Sequence, residues 1–334
     1  MRLGFWPPVY GNWIMTDDPD QGIGSYEYVK ETTLLADKSG FDTLLLAEHF
    51  IHPNGAQLEL VDSWTTAAAL AAITENIEII AAVKPGLRAP GVSAKMATSI
   101  DHISNGRFAI NLVSAWWLPE YEMLGAPVLS HDVRYDRSSE YIDVMKGLWT
   151  QEEFSYAGDF YNVKNASISP KAIQSPHVPV YIGGESEQGR TLGARVADIF
   201  LINGRPPEEV KEIVADMKLR AQTLGKTLRF GMSAFVICRE TEALAQEEYQ
   251  RLLSLLHVDI KGGDKEVEMH KYLAKTEKVG TNGGTVAGLV GTPGQIAERM
   301  HEFEALGIET FLLQFHPTLE ELERFSAEVI PLLK

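Results

Sequence analysis

The chain has 334 residues, 45% of them apolar, and 46 acidic side chains against 30 Lys and Arg, for a formal charge of −16. No basic patch is available to neutralise phosphates, which argues against a nucleic-acid partner and describes a self-repelling acidic surface. A single cysteine, Cys238, excludes an internal disulfide framework and fits a reducing compartment. With no histidine close to it in sequence, Cys238 reads as a buried spectator.

The opening MRLGFWPP is a strand pattern without the apolar core of a signal peptide. No apolar run approaches the roughly 18 residues of a membrane span, so a cytoplasmic location is expected. Strands are expected at Leu3–Trp6, Phe41–Leu46, Ile77–Val83, Phe108–Val113, Val178–Ile182, Asp198–Leu201, Arg229–Ile237 and Thr310–Gln314. Helices are expected at Tyr26–Lys38, Ser63–Thr74, Ser93–Ile103 and Arg134–Leu148, then from Ser186, Pro207 and Glu240, and at Leu319–Leu333. Strands that each lead into a helix, eight times over, give the count of a TIM (β/α)8 barrel. The alternative, a doubly wound open sheet, has about five or six strands and a first-turn GxGxxG, which LGFWPPVYG does not supply.

Two insertions interrupt the repeat. Glu153–Tyr161 reads as a hairpin around Ala157–Gly158. Val258–Val286, rich in glycine and lysine, reads equally as a lid or as a solvated surface loop. No linker composition appears, so residues 1–334 are read as a single domain.

In α/β proteins ligands bind beyond the carboxyl ends of the strands. That draws attention to Asp101–Gly125, DHISNGRFAINLVSAWWLPEYEMLG, whose apolar strand ends at Asn111 and runs into a loop with Trp116, Trp117 and Glu120. A second such end, Gly183-Gly184-Glu185-Ser186, leads into a helix. Its glycines admit close backbone approach, and the helix start favours an anion. A plain N-cap serine in a tight turn fits that segment as well. His49 and His52 have H-x-x-H spacing but no third ligand on a helix face, so no metal is expected. The mouth is aromatic (Trp6, Trp13, Trp64, Trp116, Trp117) and has no built-in nucleophile, which points to an organic cofactor that carries the difficult step.

The strings FDTLLLAEHF, IEIIAAVKPGLRAP, ATSIDHISNGRFAINLVSAWWLPEYEMLG, HDVRYDRSSEYIDVMKGLW, FSYAGDFYNV, PVYIGGESEQG and LVGTPGQIAERM resemble, in order, the bacterial luciferase-like flavin monooxygenases. The likeness spans essentially the whole chain. It is strongest toward the branch of alkanesulfonate, dimethyl sulfone and pyrimidine ring-opening monooxygenases. The resemblance implies a homodimer or homotetramer, and reduced FMN supplied by a separate NAD(P)H-dependent flavin reductase. It also implies oxygen activation as a C4a-(hydro)peroxyflavin, sheltered from water. Carried over by position, Asn111 faces the isoalloxazine, Ala47, Glu48 and Glu120 border it, and Ala82 follows a non-proline cis peptide at Ala81–Ala82. Arg134, Tyr135, Gly184, Glu185 and Ser186 hold the ribityl phosphate. Substrate meets Trp6, Trp64, Trp116, Ser233 and Phe235, and His316, His49 and Tyr10 are the candidates for moving protons.

Where sulfonate-type relatives place arginine and histidine on the seventh strand, this chain has Ser233 and Phe235. Tyr10 stands in place of a histidine and His316 in place of a tyrosine, and VGTNGGTVAGLVGT lacks the lid arginine. A dry anion without a cation is costly, so a neutral organosulfur substrate such as a dialkyl sulfone is expected over a sulfonate. Two other readings stand beside this one: a deazaflavin-dependent oxidoreductase on the same barrel, and a non-catalytic flavin-binding protein.

Overall fold

A computed structural model describes residues 1–11, 24–53, 55, 57–114, 117–255 and 277–334. Eight parallel strands close on themselves in the order β1 (Arg2–Phe5), β12 (Ile308–Gln314), β9 (Arg229–Phe235), β8 (Ile199–Ile202), β7 (Val180–Gly183), β4 (Phe108–Leu112), β3 (Glu78–Val83) and β2 (Thr43–Leu46). The closure is β1 on β2, with Phe5 opposite Leu44, and β1 on β12, with Phe5 opposite Leu313. A closed barrel removes the open sheet from consideration.

The strands are almost continuously apolar because both faces are covered. Side chains alternate across each strand. Leu45, Ile80, Ala109, Tyr181, Leu201, Phe235 and Leu312 therefore fill the barrel. Leu44, Leu46, Ile79, Ala81, Ile110 and Phe311 belong to the layer under the surrounding helices. Each fully buried aliphatic side chain contributes about 1.5–3 kcal/mol.

The helices are α1 (Tyr26–Ser39), α2 (Ser63–Ala71), α3 (Pro90–Ile103), the short α4 (Pro119–Met123), α5 (His131–Thr150), α6 (Glu187–Val196), α7 (Pro207–Thr223), α8 (Glu242–Ser254), α9 (Pro293–Leu306) and α10 (Thr318–Glu328). Two of them are capped by a serine side chain: Ser25 Oγ accepts the Tyr28 N–H and Ser186 Oγ accepts the Gly189 N–H. The sequence reading did not anticipate α9. Thr292 and Gln295 cap it reciprocally, with Pro293 at its first position. A hairpin is present as β5 (Phe154–Ala157) paired antiparallel with β6 (Asn162–Ala166), so its turn falls at 158–161 and its second strand lies beyond the expected end at Tyr161. A small extra pairing joins β10 (Ile237–Cys238) to β11 (Val290–Gly291).

One expectation is overturned. The Ala81–Ala82 bond is not among the cis peptides of the described residues, which are Ser169–Pro170, Ser175–Pro176 and His316–Pro317. Ala81 and Ala82 instead keep the parallel register unbroken, opposite Ile110 and Asn111, and the Ala82 carbonyl accepts the Trp64 indole N–H at 2.8 Å. A trans bond satisfies that ladder and avoids the roughly 3–4 kcal/mol of a non-proline cis form.

Part of the expected lid is folded. Residues 277–286 pack on the barrel and run into a 3-10 turn at Gly284–Ala287; residues 258–276 lie outside the described residues. No described helix is long and apolar enough to cross a membrane.

Candidate active site

The carboxyl ends of the strands form one mouth. By alternation Ala47, Ala82 and Asn111 face the barrel interior there, one step above Leu45, Ile80 and Ala109. Asn111 is only 6% exposed, and among the described residues its Oδ1 accepts no hydrogen bond. A buried amide oxygen left unmatched costs about 1–3 kcal/mol, so its position calls for a ligand donor.

On the β2–β3–β4 side the mouth is walled by buried charge. Glu120, at the start of α4, is 0% exposed. Its Oε1 accepts the Phe50 N–H at 2.6 Å and the Ile51 N–H at 3.3 Å, and its Oε2 accepts Lys84 Nζ at 2.5 Å. Lys84 Nζ also lies 3.1 Å from His49 Nδ1. Behind this pair, Glu48 takes the Lys84 backbone N–H at 2.7 Å and Arg88 Nε at 2.8 Å, while Arg88 also reaches Asp62 at 2.6 Å. The Arg88 guanidinium lies over the rings of Phe50 and Trp64.

These contacts set the protonation states. Burial lowers His49 to about 4, aided by the Lys84 charge. Burial pushes Glu48 up to about 7 although Arg88 and Lys84 pull it back. Burial also works against the Glu120 carboxylate, but His49 and Lys84 overcome it and hold the group at about 2. Lys84 itself is lowered by burial.

Tyr10 and His49 come together, with ring centroids 5.8 Å apart, and Trp117 meets His49 at 6.0 Å. His52, an unassigned member of the H-x-x-H pair, bonds the Tyr10 carbonyl at 3.0 Å. Trp64 is wholly buried under α2 against Phe108. Trp6 continues β1 inward, and its backbone N–H donates to the Leu313 carbonyl. Trp116 lies outside the described residues.

On the β7–β12 side the wall is mostly backbone. Gly184 has φ +139°, and a methyl group there would stand 3.1 Å from the Tyr135 hydroxyl. The Glu185 carboxylate is tied to Arg205 and accepts both N–H groups of Asn203, so its charge is balanced. Ser186 caps α6 with its oxygen and keeps its own O–H to donate. Arg134 donates to the carbonyls of Ser114 at 3.2 Å and Leu129 at 2.8 Å, bracing the loop after β4. Ser233 and Phe235 are buried on β9, and His316 is buried just past β12. Between them Gln314 accepts the Thr281 N–H at 2.9 Å, pinning residues 277–286 over the barrel. Lys278 donates to the Gly280 carbonyl, and burial lowers it to about 8.

Lys84, Arg88 and Gln314 were not singled out from the sequence, and His52 was weighed only as a metal ligand. The signal for the first was available: AAVKPGLR places a lysine directly on the carboxyl end of an apolar strand, where the barrel gathers its ligands.

Residues 9–310 match the family model described as luciferase-like monooxygenase. The FMNH(2)-dependent dimethylsulfone monooxygenase of Pseudomonas putida is 33% identical over 100% of this chain and 95% of its own length. The enzyme of the same name from Pseudomonas fluorescens (strain Pf0-1) is 31% identical, over 100% of this chain and 94% of its own. Among solved structures, a long-chain alkane monooxygenase superposes with a TM-score of 0.84 at 20% identity, over 99% of this chain and 90% of that one, a likeness of fold.

Proposed function

The chain belongs to the luciferase-like monooxygenase family, and on that premise we propose that it oxidises a small neutral organosulfur compound, of the dialkyl sulfone type, with reduced FMN and dioxygen. It is an FMNH2-dependent monooxygenase, and such an enzyme requires a partner flavin reductase. In our reading the reductase uses NAD(P)H, the enzyme works in the cytoplasm as a homodimer or homotetramer, and residues 1–334 act as one catalytic domain.

Reduced FMN, when bound, supplies the electrons that activate dioxygen. The residues that would hold it suit its two ends. Asn111 offers a buried, unmatched amide oxygen to a ring N–H, on a bed formed by Ala47 and Ala82. Gly184 leaves room for a phosphate beside the Tyr135 hydroxyl and the Ser186 O–H at the start of α6. Glu185, neutralised by Arg205, does not repel that phosphate, and Arg134 shapes the adjoining loop. Glu48 and Glu120 border the ring site as a charged but paired wall. Tyr10, His49 and His316 supply hydrogen bonds and protons, and Trp6, Ser233 and Phe235 frame the substrate.

The observation that carries the substrate charge is the state of the cations. Lys84 and Arg88 are committed to Glu120, Glu48 and Asp62, and Lys278 is weakened by burial. A desolvated sulfonate would find Ser233 and Phe235 in place of donors able to offset its lost hydration. Anaerobic titration with photoreduced FMN, followed by oxygen and dimethyl sulfone, tests the reading. Reduced FMN should bind more tightly than oxidised FMN and the sulfone should be consumed. Equal affinity for both flavin forms together with an untouched sulfone would contradict it.

A further inference from the structure

His49 enters the mouth between four titratable or charged groups: Lys84 from the loop after β3, Glu120 from α4, and Tyr10 and His52 from the loops after β1 and β2. Glu48 and Arg88 stand behind Lys84. Two distances decide what the imidazole is. The Lys84 ammonium is a donor only, so at 3.1 Å from Nδ1 it meets a lone pair there, not a proton. Glu120 Oε1, the acceptor that a protonated Nδ1 would need, is 3.5 Å away and already takes the Phe50 N–H at 2.6 Å. A side-chain contact of that length is at the outer limit of a hydrogen bond. Lys84 is itself anchored, because its second proton points to Glu120 Oε2 at 2.5 Å. Glu120 in turn is fixed by two backbone N–H groups from the residues that follow His49.

We propose that Lys84 is a positioning residue that locks the imidazole of His49 in its neutral Nε2–H tautomer, giving the barrel mouth a fixed hydrogen-bond donor and not a base at that nitrogen. The two ring nitrogens point in widely different directions, so with Nδ1 turned to the Lys84–Glu120 pair, the Nε2–H is directed away from it. The role rests on the reading of this mouth as the place where flavin and substrate meet. Lys84 acts on the reaction only through His49. It differs from a merely structural ion pair in that its removal moves a proton.

The test needs no flavin. Protein labelled with [15N]histidine is observed by long-range 1H–15N correlation, with His49→Gln identifying the resonance. At pH 7 the wild type should show a protonated Nε2 and an unprotonated Nδ1 on His49. In Lys84→Met the proton should move to Nδ1, facing Glu120, and the titration midpoint of His49 should rise by at least about one pH unit, a tenfold change in proton affinity. Lys84→Arg, which keeps a donor-only cation, should retain the wild-type tautomer. A His49 protonated at Nδ1 in the wild type overturns the proposal, as does a tautomer indifferent to Lys84→Met. If Lys84→Met does not fold, the wild-type spectrum decides alone. Because flavin is absent throughout, failure here leaves the monooxygenase reading standing, and failure of flavin binding leaves the tautomer assignment standing.

Discussion

The two walls of the barrel mouth are made by different physical means. Beside β2, β3 and β4 the wall is side-chain charge withdrawn from water: Glu120, Lys84, Glu48 and Arg88, each held by at least two partners. Beside β7, β8, β9 and β12 it is backbone, where Gly184, Gly204, Gly283 and Gly284 bring main chains close together. Gly204 N–H donates to the Asn282 carbonyl at 2.8 Å, and a Cβ on Gly283 would lie 2.2 Å from the Gly204 oxygen. The first wall is therefore sensitive to charge and pH, and the second to volume. Flavin chemistry uses both, since a reactive ring needs fixed donors while a phosphate tail needs room.

The largest effect should come from breaking the charged wall. Glu120→Ala strips Lys84 of its anion and leaves the Phe50 and Ile51 N–H groups unmatched, so unfolding stability should fall by about 3–5 kcal/mol in urea titrations. The same substitution should have little influence on the glycine wall, which amide exchange at residues 279–285 would report.

Acid provides the second test of the charged wall. His49 is lowered to about 4, so the stability it contributes is present above its ordinary value near 6.5 and is lost as pH falls from there through 4. For a side chain this buried the loss is about 3 kcal/mol. Glu120, held at about 2, adds a further loss between about 4.5 and 2. Glu48 has the opposite sign: it is raised to about 7, and its contribution disappears as pH rises through 7. From pH 8 to 4 the wild type should thus lose about 3 kcal/mol relative to His49→Gln, in which the Glu48 contribution is unopposed. Parallel curves would contradict the assignment.

The volume-sensitive wall is tested by a pair of glycines that share a positive φ. Gly283 and Gly125 have φ of +88° and +72°, but a Cβ on Gly125 meets nothing within 4 Å. Gly125→Ala should cost only the left-handed penalty of about 1–2 kcal/mol, whereas Gly283→Ala should cost about 3 kcal/mol. Ser186→Ala is the mildest change. Loss of the α6 cap should lower stability by about 1 kcal/mol, and reduced FMN should bind more weakly by about 1–3 kcal/mol. Unchanged flavin affinity in both Ser186→Ala and Arg134→Ala would remove the phosphate assignment.

The backbone wall was readable in the sequence and the charged wall largely was not. Gly183–Ser186 is a local signal: glycines, a capping serine and a helix in consecutive positions. The eight strands were readable for the same reason, as short apolar runs between turns. Lys84 and Glu120 are 36 residues apart and Glu48 and Arg88 are 40 apart. They meet only because parallel neighbours end at one height, and periodicity carries no information about that. Asn111 and Glu120 could be singled out from their strand end, but not the partners that leave one unmatched and the other saturated. The helix α9 was missed although TPGQ holds its capping box, because a glycine- and threonine-rich approach masks the start. The cis bond expected at Ala81–Ala82 came from likeness alone, and the regular register of β3 with β4 removes it.

A saturated charged wall and a neutral β9 leave this mouth suited to an uncharged substrate. A competition assay with photoreduced FMN, oxygen and a sulfone and alkanesulfonate matched in size measures it most directly. kcat/KM should be at least about tenfold higher for the sulfone, or about 1.4 kcal/mol. Efficient turnover of the sulfonate with none of the sulfone would contradict it, and would turn attention to Lys278 as the cation that binds it.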